Sequence, residues 1–148
     1  MPRITRLLAG AAAAVGTVVV GSPLPSAAAE PCPDVEVVFA RGTNEPPGVG
    51  GTGQTFVDAL RGQAGDRSVS VYPVNYPASD DFGGGLAFAG TVVDGVRDSM
   101  HHVQATAANC PDTRIVLGGF SQGAVVAGFT TAAAVPEGVP ADLVPPPM

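Results

Sequence analysis

Short apolar runs alternate along the chain with longer segments in which apolar side chains recur every three or four positions. Three runs rich in β-branched residues predict buried strands at residues 35–40, 69–74 and 113–117. The periodic segments predict helices at residues 54–63, 86–108 and 121–135. This order of strand, helix, strand, helix, strand and helix predicts parallel strands joined by helical crossovers, and therefore an α/β fold.

The first 29 residues have the pattern of a secretory signal peptide. Two arginines precede an uncharged run of 14 residues at 7–20, which is short for a membrane span. Three alanines before Glu30 fit a signal peptidase site, so we expect cleavage there. An uncleaved membrane anchor is the alternative, and the short run disfavours it. We therefore predict a signal peptide at 1–29, a mature chain at 30–148 without a transmembrane segment, and an extracellular or cell-envelope location.

Composition and charge exclude several classes of protein. The chain has 7 basic and 13 acidic residues, a net charge of −6. Without residues 1–29, which contain two of the basic residues and no acidic one, 5 basic and 13 acidic residues remain, a net charge of −8. Such a chain has no basic patch to neutralise phosphates, so we expect no nucleic-acid partner. The apolar share of 45% is too high for a wholly disordered chain.

Two cysteines, Cys32 and Cys110, are separated by 78 positions. In an exported protein such a pair is most simply a disulfide. A zinc site is a poor alternative, because the other candidate ligands, His101 and His102, are adjacent and would point to different sides of a helix. We therefore predict no metal site.

The sharpest chemical signal is a G-x-S-x-G motif at residues 119–123, between a predicted strand and a predicted helix. A nucleophilic serine at Ser121 must project above the end of its strand, which requires a tight turn with strained backbone geometry. Glycines two positions before and after it leave room for that turn, and the first N–H groups of the helix can stabilise an oxyanion. A glycine-rich turn with a capping serine is the alternative, but the flanking strand and helix favour the nucleophile.

A second glycine motif, G-x-G-x-x-G at residues 48–53, matches the dinucleotide-binding pattern and also lies between a strand and a helix. Seven residues separate it from the strand, which is too long for the tight turn that a pyrophosphate requires. The second strand is followed by Asn75 and Tyr76, where an acidic residue would bind the ribose. A flexible loop is the favoured interpretation, and no cofactor is predicted.

Five features together resemble the cutinase family of serine esterases in its actinobacterial form. They are, in chain order, a cysteine before the first strand, the run F-A-R-G-T-x-E at 39–45, a glycine-rich loop, a Cys-Pro step at 110–111 and G-F-S-Q-G at 119–123. The resemblance covers essentially all of residues 30–148. It implies a three-layer α/β-hydrolase-like fold with a central parallel sheet.

The resemblance also implies roles for individual residues. Ser121 corresponds to the nucleophile, while the backbone N–H of Gln122 and the hydroxyl residue Thr43 correspond to the two arms of an oxyanion hole. Cys32 and Cys110 correspond to a family disulfide. Members hydrolyse carboxylic esters with apolar acyl chains, from soluble esters to polyester and lipid, without a metal or cofactor. We expect a monomer that acts on such an ester.

The sequence departs from the family after the serine. The family's aspartate and histidine follow the nucleophile on later loops, but no histidine follows Ser121, and the only later aspartate, Asp142, lies in a proline-rich segment. His101 and His102 fall late in the crossover helix, at the end of the sheet opposite the serine, and are interpreted as solvated or as helix-C-terminal histidines, where a positive charge is favoured. We therefore expect the N-terminal portion of such a domain, with its C-terminal strands missing and the serine strand exposed as an edge.

Two functions are compatible with these residues. The first is a secreted serine esterase that forms an acyl-enzyme on Ser121. The second is a truncated, inactive exported relative that binds lipid or another protein at most, because a serine without a base is a weak nucleophile. Loss of ester turnover in a Ser121→Ala variant distinguishes the two.

Overall fold

A computed structural model describes residues 31–132 of the chain. The predicted signal peptide, Asp142 and the last positions of the helix predicted at 121–135 lie outside these described residues. Six elements alternate along the described part: β1 (Val35–Ala40), α1 (Gly50–Gln63), β2 (Val69–Pro73), α2 (Leu86–Asn109), β3 (Arg114–Gly119) and α3 (Gln122–Thr130). The predicted alternation of strands and helices is confirmed.

The three strands form one parallel sheet in the order β2-β1-β3. β1 lies in the middle, and its first residue, Val35, is opposite Val69 of β2 and Arg114 of β3. At the other end of the strand, Ala40 is opposite Gly119. The predicted α/β class with a central parallel sheet is confirmed. Within residues 31–132, β3 is an edge strand, as expected.

β1 is buried on both faces from Val37 to Ala40, which explains the four consecutive apolar residues there, whereas the charged Glu36 near its start is half-buried. Val38 and Ala40 pack on one side with residues of α2 and α3. Val37 and Phe39 pack on the other side with residues of α1. The two valines are 0% exposed, and burial of a side chain of this size contributes about 1.5–3 kcal/mol. The sheet is therefore the middle of three layers, and β1 belongs to both cores.

Helices α2 and α3 approach each other closely at a glycine. A Cβ atom at Gly95 of α2 would lie 3.0 Å from the Tyr76 ring and 3.1 Å from Val126 of α3. Val126 is itself 0% exposed. This contact holds α3, and the turn that precedes it, against the rest of the fold. Within residues 31–132, no helix is both long and apolar enough to cross a membrane.

Two observed boundaries, the start of α1 and the end of β3, fall at glycines and differ from the predicted ones. α1 begins at Gly50 rather than at residue 54, because the carboxylate of Glu45 accepts the N–H of Gly51 at 2.7 Å and satisfies the first turn. β3 continues to Gly119 rather than ending at residue 117. Gly118 and Gly119 pair with β1 although glycine has a low strand propensity. The loop after β1 therefore covers residues 41–49 only.

α3 is shorter than the helix predicted at 121–135. It begins at Gln122, with Ser121 as its N-cap, and ends at Thr130. The Thr130 hydroxyl donates to the Val126 carbonyl at 2.8 Å, and Thr131 follows with φ −112° and ψ 6°. The two threonines favour a helix end at this point. The apolar residues that follow them in the sequence are the reason why a longer helix is predicted.

The amino end of the sheet is closed by covalent and polar contacts. Cys32 and Cys110 form the predicted disulfide, with their Cα atoms 5.5 Å apart. The Asp34 carboxylate accepts the hydroxyl of Ser68 at 2.8 Å and its N–H at 2.7 Å. These hydrogen bonds stabilise the charged form, so they lower the pKa of Asp34 below its ordinary value. The start of β1 is thereby joined to both neighbouring strands.

The disulfide is expected to stabilise the fold by restricting the unfolded chain. For a sequence separation of 78 residues, the chain-entropy model gives roughly 4–5 kcal/mol. A Cys32→Ser, Cys110→Ser double variant should lower the free energy of unfolding by about 2–5 kcal/mol in urea. A thiol reductant should lower the wild-type stability similarly and leave the double variant unchanged. Equal unfolding midpoints for the oxidised wild type and the variant would contradict this account.

Candidate active site

Three segments meet at the carboxyl end of the parallel sheet, the edge at which open α/β folds bind their ligands. They are the loop at 41–49 after β1, the segment at 74–85 after β2 and the turn between β3 and α3. The Phe120 N–H in this turn donates to the Ala40 carbonyl at 3.1 Å. The Val74 N–H donates to the Phe39 carbonyl at 3.0 Å. Both neighbouring segments are therefore bonded directly to the end of β1.

Ser121 occupies the tip of the turn, immediately before the first residue of α3. Its backbone has φ 53° and ψ −118°, a region that costs a non-glycine residue roughly 1–3 kcal/mol. The side chain is exposed, does not cap α3 and makes no hydrogen bond within residues 31–132. The strained turn predicted from the sequence is confirmed, and it presents a hydroxyl at the N-terminus of a helix.

The two glycines of the motif allow backbone segments to touch. A Cβ atom at Gly123 would overlap the carbonyl groups of Ala40 and Arg41. A Cβ atom at Gly119 would overlap the carbonyl of Gly123 and lie 2.7 Å from the Ala124 nitrogen. A side chain at Gly123 would push α3 away from the end of β1, and one at Gly119 would push α3 away from β3, so the geometry requires both glycines of the motif.

Thr43 lies in a turn formed by residues 42–45, in which the Glu45 N–H donates to the Gly42 carbonyl at 3.3 Å. Asn44 has φ 61°, which fits the third position of a type II turn. Its N–H donates to the Ala78 carbonyl at 2.8 Å. Thr43 is half-buried, and its own N–H makes no hydrogen bond to the residues that the structure describes.

Gln122 begins α3 with its side chain buried. Its backbone N–H has no partner in the described part of the chain, as is usual in the first turn of a helix. The side-chain Nε2 donates to the Ser79 carbonyl at 3.2 Å, whereas Oε1 has no partner within residues 31–132. Because a Cβ atom at Gly42 would lie 2.9 Å from the Phe120 ring, the loop after β1 contacts the serine turn. Thr43 and Gln122 are thus brought to the same end of the sheet as the serine.

The second glycine motif is filled by a carboxylate of the protein itself. The Glu45 side chain accepts the N–H groups of Gly42 at 2.6 Å and of Gly51 at 2.7 Å. A Cβ atom at Gly50 would overlap this carboxylate. The N-terminus of α1, where a dinucleotide would place its pyrophosphate, therefore already holds an anion. The preference for a loop over a dinucleotide site is supported, but the loop is held by Glu45 rather than flexible.

Arg41 is only 6% exposed although it is charged. Its Nη2 donates to the Tyr76 carbonyl at 2.6 Å and its Nε to the Glu45 carbonyl at 2.8 Å. The Tyr76 hydroxyl donates back to the Arg41 carbonyl at 2.5 Å. Burial raises the pKa of Tyr76, and the Arg41 charge partly opposes that rise. No role for Arg41 or Glu45 is predicted from the sequence. Their position in the run at 39–45 is the only feature that could have indicated one.

The two histidines lie away from the serine. His102 Nε2 is 3.1 Å from Glu36 Oε2, and the imidazole stacks on Tyr72 with 3.5 Å between ring centroids. Glu36 is the second residue of β1, so about 13 Å of strand separates it from Ala40 beside the serine turn. The expected location is confirmed. His101 is exposed, as a solvated histidine would be, whereas His102 is half-buried, and its contacts to Glu36 and Tyr72 are not predicted from the sequence.

Large apolar side chains remain exposed on two of the three segments. Phe120, next to the serine, is 46% exposed, and Phe82 and Leu86 are 68% and 66% exposed. The Phe82 ring packs on Phe88 with 5.2 Å between centroids. Exposed aromatic and aliphatic groups at this end of the sheet suit a ligand with apolar parts. Residues 31–132 contain no cluster of His, Cys, Asp or Glu side chains arranged to hold a metal ion.

The sequence of this chain is similar to one protein family and to several curated proteins. The sequence model of the Cutinase family matches residues 31–144. The chain is 45% identical over 137 residues to Carboxylesterase Culp1 of Mycobacterium tuberculosis, which covers 91% of this chain and 60% of the relative. It is 50% identical over 134 residues to Phospholipase Culp4 of the same organism, covering 90% of this chain and 55% of the relative. The chain therefore spans between 55% and 60% of the length of these curated relatives.

Solved structures have the same fold. A Trichoderma reesei cutinase in complex with a phosphonate inhibitor gives a TM-score of 0.56 at 36% identity, over 68% of this chain and 43% of that chain. The catalytic core domain of acetyl xylan esterase from Trichoderma reesei gives 0.57 at 32% identity, over 66% of this chain and 47% of that chain. The cutinase-like α/β-hydrolase fold predicted from the sequence is thereby confirmed.

The close contact at Gly123 predicts opposite effects for two glycines of α3. Gly123→Ala should destabilise the fold by roughly 3 kcal/mol or more, because the methyl group overlaps backbone carbonyls. Gly128→Ala should be neutral or stabilise by up to about 1 kcal/mol, since alanine is the better helix former and nothing within residues 31–132 lies within 4 Å of its Cβ. Urea unfolding of both variants measures the difference, and equal effects would contradict the described contact.

Proposed function

Because this chain belongs to the cutinase family, we propose that Ser121 is the nucleophile of a carboxylic ester hydrolase and forms an acyl-enzyme with the substrate. One observation carries the proposal: Ser121 is exposed, has a positive φ and stands at the N-terminus of α3. A serine that merely capped the helix would not need this strain, and Ser121 makes no capping hydrogen bond.

In the proposed reaction, the Ser121 Oγ attacks the ester carbonyl carbon while a base accepts the hydroxyl proton. The carbonyl oxygen becomes an oxyanion, which accepts hydrogen bonds from the hydroxyl and the N–H of Thr43 and from the Gln122 N–H. The tetrahedral intermediate collapses, expels the alcohol and leaves the acyl group on the serine. Water then attacks the acyl-enzyme in the same way, and the carboxylic acid is released.

Unused bonding capacity supports the two proposed oxyanion donors. The N–H groups of Thr43 and Gln122 make no hydrogen bond within residues 31–132, although the backbone on either side of Thr43 is bonded. The N-terminus of α3 adds a positive potential that favours a developing negative charge. Donors that are oriented before the substrate binds need not reorganise during the reaction. They therefore stabilise the transition state more strongly than water would.

The serine requires a base, because a neutral hydroxyl is a weak nucleophile. The histidine at position 102 is held at the opposite end of the sheet, and His101 precedes it on the same helix. In this proposal the base and its acidic partner therefore come from outside residues 31–132. The absence of a base near Ser121 in this described part favours a second candidate, a non-catalytic relative that binds lipid or another protein.

We propose carboxylic esters with apolar acyl chains as substrates. The exposed Phe120 beside Ser121 and the exposed Phe82 and Leu86 favour contact with apolar groups. The net charge of −6 disfavours attraction to anionic lipid headgroups. The relatives include proteins named as a carboxylesterase and a phospholipase, so soluble esters, polyester and neutral or zwitterionic lipid all belong to the proposed substrate class.

We also propose that the protein acts outside the cytoplasm. The Cys32–Cys110 disulfide suits an oxidising compartment. The two arginines and the uncharged run of 14 residues near the start of the sequence are typical of a secretory signal. The monomeric state stays a prediction.

Hydrolysis of p-nitrophenyl butyrate by the 148-residue chain tests the nucleophile. Where the base is supplied, Ser121→Ala should reduce turnover by roughly 1,000-fold or more, because the attacking oxygen is lost. The 148-residue chain contains no histidine besides His101 and His102, so its own turnover should be low. Ser99→Ala is a matched control, since the Ser99 hydroxyl is buried in α2 without a hydrogen-bond partner within residues 31–132. This control should keep wild-type turnover. Equal turnover by the wild type and Ser121→Ala would refute the esterase proposal for this 148-residue chain and favour the non-catalytic relative.

The oxyanion role of Thr43 predicts a selective loss in kcat. Thr43→Ala should lower kcat by roughly 100- to 1,000-fold with little change in KM, because an oxyanion donor acts mainly on the transition state. Thr43→Ser keeps the hydroxyl and should retain most of the activity. Steady-state kinetics with p-nitrophenyl butyrate measures both variants. If the alanine and serine variants are equally active, the Thr43 hydroxyl is not an oxyanion donor.

A further inference from the structure

The run at residues 39–45 contains two charged side chains, Arg41 and Glu45, that the proposed reaction does not use. We infer that Glu45 is a positioning residue, which fixes the backbone of the Thr43 turn before a substrate binds. The inference rests on the proposed function of Ser121 and Thr43. Glu45 acts through the turn and not on the substrate.

The Glu45 carboxylate joins the turn to the first helix. Its Oε2 accepts the Gly42 N–H at 2.6 Å, and its Oε1 accepts the Gly51 N–H at 2.7 Å. Gly51 belongs to the first turn of α1, whose N-cap residue, Val49, makes no side-chain capping bond. One carboxylate therefore caps the helix and anchors the residue before Thr43. Hydrogen bonds to a charged acceptor are roughly twice as strong as neutral ones.

The other positions of the turn are held by different groups. The Arg41 Nε donates to the carbonyl of Glu45 at 2.8 Å. The Asn44 N–H donates to the Ala78 carbonyl at 2.8 Å, and the Asn44 Nδ2 donates to Asp80 at 2.7 Å. The backbone at 42, 44 and 45 is thus bonded, whereas the Thr43 N–H between them has no partner within residues 31–132. The direction of this donor is set by its neighbours.

Glutamine at position 45 has nearly the same shape but the wrong set of donors and acceptors. The carboxylate offers two acceptor oxygens, whereas a glutamine amide offers one oxygen and one NH2 group. In Glu45→Gln, one of the two backbone N–H groups would therefore face another donor. The turn should lose its anchor at Gly42 or at Gly51, and the charge that favours both hydrogen bonds is lost as well.

Asp34 provides a matched control at the other end of the sheet. Its carboxylate also accepts a backbone N–H, that of Ser68 at 2.7 Å, together with the Ser68 hydroxyl at 2.8 Å. Asp34→Asn removes one negative charge and so weakens the contact to Ser68, but both hydrogen bonds use the single oxygen Oδ2 and can be kept by the asparagine carbonyl. It lies far from Thr43, so a loss of stability without a change in the turn is expected.

The experiment compares the wild type, Glu45→Gln, Glu45→Asp and Asp34→Asn in the full 148-residue chain. Amide hydrogen exchange is measured by NMR at Gly42, Asn44 and Gly51, and kcat and KM are measured with p-nitrophenyl butyrate. In Glu45→Gln we expect exchange at Gly42 or Gly51 to be about 10-fold faster or more. We expect kcat to fall by roughly 10- to 100-fold while KM stays within about 2-fold.

The two remaining variants distinguish positioning from general stability. Glu45→Asp keeps both carboxylate oxygens on a shorter stem and should recover part of the protection and of kcat. Asp34→Asn should lower the unfolding midpoint but leave both the exchange at Gly42 and kcat at wild-type values. Unchanged exchange at both Gly42 and Gly51 in Glu45→Gln would overturn the inference. An equal loss of kcat in Asp34→Asn would also overturn it.

Failure of the proposed function gives a different result. Wild-type turnover no higher than that of Ser121→Ala would refute the esterase proposal for this chain. In that case, the exchange rates alone decide the inference. Faster exchange in Glu45→Gln but not in Asp34→Asn supports an ordering role of Glu45 at the turn, and unchanged rates contradict it.

Discussion

The candidate site depends on one close contact, in which the first turn of α3 lies directly against the end of β1. Gly123 faces the carbonyl groups of Ala40 and Arg41 with no room for a side chain. The chain must therefore pass from β3 into α3 within very few residues. The reversal is concentrated at Ser121, whose φ of 53° and ψ of −118° are rarely adopted by residues other than glycine. Strain at the serine is thus a consequence of packing a helix tightly on a strand.

The same contact determines what surrounds the serine. β1 is the central strand and contributes to both cores, so its end cannot move without disturbing both layers of helices. Arg41 follows it immediately and is buried, and a buried guanidinium is costly unless its N–H groups find acceptors. The carbonyls of Glu45 and Tyr76 supply them. The need to satisfy one buried charge therefore brings together the loop after β1 and the segment after β2, which are the walls of the site.

Features that depend on neighbouring residues were predictable from the sequence, and those that depend on distant side chains were not. The β-branched, mostly apolar run at 35–40 identifies a buried strand, and the glycine spacing around Ser121 identifies the strained turn. The start of α1 was misplaced because it is set by the Glu45 carboxylate, which periodicity does not register. The contacts of His102 were not predicted for the same reason, since its partner Glu36 lies on another element and far away in sequence.

The two ends of the sheet carry different kinds of interaction. The amino end is closed by the disulfide and by the hydrogen bonds between Asp34 and Ser68. The non-glycine residues with positive φ in the described part, Asn44, Ala78 and Ser121, all lie at the carboxyl end. Each such conformation is disfavoured by roughly 1 kcal/mol or more and persists only where the surrounding structure determines it. Asn44 and Ala78 hold each other through a 2.8 Å hydrogen bond, so strained residues support one another. The amino end is thus closed covalently, whereas the carboxyl end depends on the hydrogen bonds of Arg41, Glu45 and Asn44 to hold its strained residues in place.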